Sequence, residues 1–244
     1  MSYRCEAASI EGFVQHLACN LVNKGYWFYV TGRIPERKDP AVVDRKLIDL
    51  YGLELSKWAR ARRKARGKAN VAYLRFGRMF VLLATQGEHP LFDREVPVRD
   101  VRREPIHFHG YCIGCGKGSD GRYHASVKIH PEAFGELLEY HRGISLQRTT
   151  SALAKSLSQI KFVPYARVRR QLLRVLREVN DCRRQAGLEL VPFSALKLTR
   201  QIVKVFEDGN QPGEGFKPDP GSNIVDRERV DDIGLKLDPR KSHS

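Results

Sequence analysis

Ile10, Phe13, Val14, Leu17, Ala18, Leu21 and Val22 form one apolar stripe at helical spacing, and an aromatic, β-branched run, Tyr26-Trp-Phe-Tyr-Val-Thr31, follows directly after Gly25. This switch of period from 3.6 to 2 constrains the fold more than any other feature. Ser9 supplies a capping hydroxyl at the head of the helix, and Gly25 a stop at its end. A helix must therefore turn at once into a strand, and the two have to share a core.

The rest of the chain extends this alternation. Asp39-Pro40 opens a second helix with Val43, Leu47, Leu50 and Tyr51 inward and Gly52 as terminator. Ser56 caps a third helix, ending at Gly67, in which Trp58, Ala61 and Ala65 share the expected inward face. Residues 70–76 and 78–85 read as strands about a turn at Gly77. Residues 105–114 and 122–130 read as another pair, joined by the Gly-rich segment 116–121. Helices are expected over 131–140, from Thr149 or Thr150 to Ile160, and over 165–186, where Val168, Leu172, Val175, Leu176 and Val179 face inward. The prediction is a single α+β domain over residues 1–207, with a largely antiparallel sheet of about five strands packed against amphipathic helices. Residues 208–244, rich in Gly, Pro, Asp and Lys, are expected to form a mostly disordered tail.

Charge points to a partner. The chain holds 43 basic against 28 acidic residues, a formal +15. Lys57-Trp-Ala-Arg-Ala-Arg-Arg-Lys-Ala-Arg-Gly-Lys68 concentrates seven basic side chains with no acid to form i,i+4 pairs. Residues 167–184 carry seven Arg against two acids. Guanidinium forks match phosphate oxygens, so nucleic acid is the expected partner. Arg60, Arg62, Arg63, Lys64 and Arg66 are the expected phosphate contacts, extended by Arg167, Arg170, Arg174 and Arg177. With no base-reading motif, binding is expected to be backbone-directed. Trp58 and Tyr73 could offer stacking surfaces, although Trp58 is first read as core. The competing reading is an adaptor whose basic helices dock on an acidic protein.

Five cysteines, an odd number, argue against a secreted disulfide framework. Glu6 and Glu11 interrupt the N-terminal region where a signal peptide would lie, and no 18-residue apolar run occurs. A cytoplasmic protein with no membrane partner is expected. Cys112 and Cys115 are read as ordinary thiols rather than a zinc knuckle, because a second Cys-x-x-Cys is missing. Residues 114–118 do not make a phosphate-binding loop, since no Gly-Lys-Ser/Thr opens a helix after them. No cofactor is expected.

His107-Phe108-His109 resembles the histidine–hydrophobe–histidine signature of HUH endonucleases, which include rolling-circle initiators, relaxases and single-tyrosine transposases. In a continuous strand the two imidazoles would share one face about 7 Å apart. The resemblance implies a tyrosine DNA nickase, with a divalent metal such as Mg or Mn on His107 and His109 and with Tyr165 as nucleophile. Glu88, His89 and Glu95 are the candidates for a third ligand. It also implies a role associated with a mobile genetic element. Separately, residues 26–32, 78–85 and 192–196 are similar to segments of an uncharacterised bacterial protein family, which implies a folded domain over 9–207 and no particular activity.

Overall fold

The computed structural model describes residues 3–207; the tail expected over 208–244 lies outside them. The first helix, α1 (Ile10–Gln15), is capped by Ser9, whose Oγ accepts from the Gly12 amide at 3.0 Å. It runs on as a π turn (His16–Leu21) and a 3-10 turn (Val22–Lys24), and ends at Gly25 with φ 92°. Leu17, Ala18, Leu21 and Val22 all stay buried through these changes of pitch. Strand β1 (Tyr26–Arg33) follows at once, as the change of period requires.

Helices α2 (Pro40–Tyr51) and α3 (Lys57–Ala65) precede the hairpin β2 (Val71–Phe76) and β3 (Met79–Thr85). A short helix α4 (Leu91–Arg94) leads to β4 (Arg99–Asp100). Strands β5 (Ile106–Phe108), β6 (Tyr111–Lys117) and β7 (Tyr123–Ile129) come next. Helices α5 (Pro131–Ile144), α6 (Thr150–Ser158) and α7 (Ala166–Gln185) follow. The class is α+β and every pair of strands within the sheets is antiparallel, but the strands form two sheets: a four-stranded one ordered β2-β3-β1-β4 and a three-stranded one ordered β5-β6-β7.

One apolar core joins the sheets. Tyr29, Ala72, Leu74, Val81 and Leu83 from the first sheet join Ile106, Phe108, Ile113, Val127 and Ile129 from the second, and the apolar faces of α1 and α7 pack into the same core. The opposite face of the four-stranded sheet, Val71, Tyr73, Leu82 and Ala84, packs on Ile48, Tyr51, Leu53 and Leu91. Strand β2 is therefore covered on both faces, which explains its near-continuous apolar run. Its one buried charge, Arg75, meets Asp44 of α2 at 2.9 Å and Glu6 at 2.7 Å, and Tyr73 donates its hydroxyl to Asp44 at 2.6 Å.

That buried Asp44 rotates α2 from its expected setting. Ile48 and Tyr51 are inward as an apolar pair, while Leu50, expected inside, is exposed. The expected strand over 105–114 is also two strands. His109 and Gly110 take φ values of 46° and 76°, and this left-handed pair folds β5 back on β6 as a tight hairpin.

Candidate nucleic-acid interface

Helix α3 buries none of its residues. Hydrogen bonds hold it in place of an apolar stripe. Ser56 Oγ accepts from the Ala59 amide at 3.2 Å, and the Gly67 amide donates to Lys64 O at 3.1 Å at the other end. On the inward face, Arg60 donates to Leu53 O at 3.4 Å and Arg63 to Ala69 O at 3.0 Å, while Asn70 Nδ2 donates to Arg60 O at 3.1 Å. The helix is thus seated on backbone carbonyls, and the inward side is the Arg60–Arg63 side rather than the expected Trp58–Ala61–Ala65 side. Its C-terminal cations, Arg62, Arg63 and Lys64, complement the negative end of the helix dipole.

Rotating the helix this way turns Trp58 out to solvent, 76% exposed. Ala61 and Ala65, one and two turns on, are exposed beside it and too small to screen the indole. Arg62, Lys64 and Arg66 are exposed as well, and among the described residues no carboxylate forms an ion pair with any of them. Five expected phosphate contacts thus split into two groups. Arg62, Lys64 and Arg66 are available; Arg60 and Arg63 are committed to holding the helix. Tyr73, the other stacking candidate, is buried against Asp44.

Below the C-terminal end of α3 lies a cleft of about 620 Å³, lined by Leu50, Arg63, Lys68, Glu88, His89, Pro90, Phe92 and Asp93. Its wall is a backbone bridge: the Ala69 amide donates to Glu88 O and the Glu88 amide to Gly67 O, both at 3.0 Å. Gly87 makes this possible. At φ 134° it lies so close to the 67–69 segment that a Cβ would stand 2.4 Å from Gly67 O. Burial lowers the basicity of His89, and nearby Arg63 adds to the effect. Lys68 was within the basic stretch read from sequence, but its place on a cleft depends on the Glu88 bridge, which joins residues far apart in the chain.

In the second basic segment one arginine is spent on structure and two make pairs within the helix. Arg183 is buried and donates to the carbonyls of Glu189, Ser145 and Arg148 and to Thr150 Oγ1. Arg174 pairs with Glu178 at 3.8 Å and Arg184 with Asp181 at 2.5 Å, each within α7. Arg170 and Arg177 are exposed, and Arg167 is half-buried. Helix α7 packs on β7 and α5, whereas α3 is held at the base of β2. The two arrays are therefore carried by different sheets.

The residues expected to build a nickase are not brought together. His109 has left the strand for the turn and lies edge-on to Phe76, while His107 packs against His130 with ring centroids 4.9 Å apart. Tyr165 caps α7 with its ring under Arg200, in the apolar core near Cys19 and Tyr111; burial pushes its phenol well above the ordinary value. Tyr111 and His107 project from opposite faces of the three-stranded sheet, since His107 is registered with Cys112. Among the third-ligand candidates, Glu95 accepts from the Tyr51 hydroxyl and His89 Nδ1 from the Leu91 amide, and Glu88 is part of the backbone bridge. Cys112 and Cys115 cannot hold one ion between them, because residues three apart in a strand face opposite ways.

Comparison with protein-family models, curated proteins and solved structures finds no match. Among the described residues, no helix is long and apolar enough to cross a membrane.

Proposed function

We propose that the protein binds single-stranded nucleic acid through α3, with Trp58 stacking on an unpaired base and Arg62, Lys64 and Arg66 neutralising adjacent phosphates. The observation that carries this reading is the exposed Trp58, next to two alanines on a helix whose outer cations have no described carboxylate partner. An exposed indole beside guanidinium groups offers a stacking face for a base and charge for its phosphate. Specificity should be weak, because nothing on α3 resembles a paired donor–acceptor reader of base edges.

Labelled oligonucleotides, single- and double-stranded, would be titrated at several salt concentrations while tryptophan emission is followed. Single strands should bind more tightly and quench Trp58, and the quench should vanish in Trp58→Ala. A polyglutamate of equal charge tests the alternative of an acidic protein partner. If it binds as tightly as the oligonucleotide, and Trp58→Ala makes no difference to either, the nucleic-acid reading fails.

A further inference from the structure

We propose that His107, Cys112 and His130 form a binding site for a thiophilic divalent metal ion, zinc being the best fit. The site is separate from α3 and does not depend on it.

The hairpin geometry builds it. Phe108 and Tyr111 flank the two-residue His109–Gly110 turn, so His107 and Cys112 are the next facing pair of the ladder. In an antiparallel hairpin closed this way, that second pair is the one without mutual hydrogen bonds, in which the side chains approach most closely. His130 follows directly on the third strand, at the N-cap of α5. Its amide donates to Gly110 O at 2.7 Å, which sets it diagonal to Cys112 on the same face of the sheet. One donor atom from each of the three residues lies within 4.8 Å of the others.

Two further features point to a cation. Nδ1 of His107 is buried and has no hydrogen-bond partner, which is an unfavourable state for an imidazole nitrogen unless something else takes its lone pair or proton. An imidazole ligates a metal in its neutral form, through a ring nitrogen that carries no proton. Two imidazoles and a thiolate are a borderline-to-soft donor set, matched to zinc and poorly matched to Mg²⁺ or Mn²⁺. Three protein ligands would leave one tetrahedral position for water.

The binding step balances simply: Cys112 releases its thiol proton to solvent as the sulfur–metal bond forms, and both imidazoles bind neutral.

The full chain, stripped with a chelator, would be titrated with Co²⁺ and, separately, Zn²⁺. One equivalent of Co²⁺ should give tetrahedral visible bands together with a thiolate-to-cobalt charge-transfer band, and Zn²⁺ should displace it and raise Tm. The charge-transfer band should be lost in Cys112→Ser and kept in Cys115→Ser, whose side chain faces the other way; His107→Gln and His130→Gln should each weaken cobalt binding. The wild-type titration decides even if a variant fails to fold. Absence of any cobalt spectrum, or a charge-transfer band that survives Cys112→Ser, overturns the proposal.

Discussion

Arg63 donates from Nη2 to the carbonyl oxygen of Ala69 at 3.0 Å, so the most densely basic helix of the protein is fastened to the segment leading into β2 by one of its own cations. This bond separates the arginines that hold α3 from those that α3 presents. Arg62→Ala, Lys64→Ala and Arg66→Ala combined should leave Tm nearly unchanged and lower the salt slope of single-strand binding by about 2, the value for three phosphates. Arg63→Ala should instead lower stability, read by urea denaturation, before binding is considered.

Trp58→Ala should weaken single-strand binding by about 1–3 kcal/mol, one stacked base, in fluorescence titration. Because the side chain is already in water, unfolding midpoints should shift by no more than about 0.5 kcal/mol. A large loss of stability would mean that the indole is packed in solution.

Gly87→Ala touches no charge, yet it should impair binding. The new methyl group would collide with the backbone of residues 67–69, and the φ of 134° is itself unfavourable for alanine. The Lys68–Glu88 bridge should open and α3 lose its seat, visible as faster amide exchange at Ala69 and Glu88.

Arg75 and Asp44 are a buried pair, but Arg75 also binds the Glu6 carboxylate at 2.7 Å, so losing Asp44 still leaves it one anion. Asp44→Asn should cost about 1–3 kcal/mol in denaturant unfolding, from the weakened hydrogen bonds to Arg75 and Tyr73. Arg183→Met should likewise destabilise, because the carbonyls of Ser145, Arg148 and Glu189 lose their donor. Nucleic-acid affinity of the folded fraction should be unchanged in both variants.

His16 gives the protein an acid-sensitive limb. Burial beside Phe206 lowers its pKa from 6.5 to about 4. Between those values the unfolded chain binds a proton that the folded protein refuses. Stability should therefore fall as pH drops below about 6.5, by up to about 1.4 kcal/mol per pH unit from this group, until about pH 4. Buried His141 acts in the same direction. His16→Gln should flatten the limb in urea titrations at pH 7, 6 and 5.

Elements that depend on near neighbours are legible in the chain of residues alone. Ser9, Asp39, Ser56 and Thr149 cap the helices they head, and Gly25, Gly52 and Gly67 end theirs, because capping is settled within one turn. The apolar faces of α1 and α7 and the Gly77 hairpin were legible for the same reason. Tertiary structure alone decided which way the helices roll and which charges are free. Asp44 is drawn inward by Arg75, 31 residues away; Trp58 faces out because Arg63 finds Ala69 O; and Arg183, indistinguishable in sequence from Arg184, is buried against the distant carbonyls of Ser145 and Arg148. Periodicity ranks residues by hydrophobicity, and it cannot see a buried carbonyl or carboxylate that is cheaper to satisfy with an arginine than to leave unpaired. His107 and Cys112 needed the same information. They became neighbours only once His109 and Gly110 adopted left-handed backbone angles, and the third strand then delivered His130.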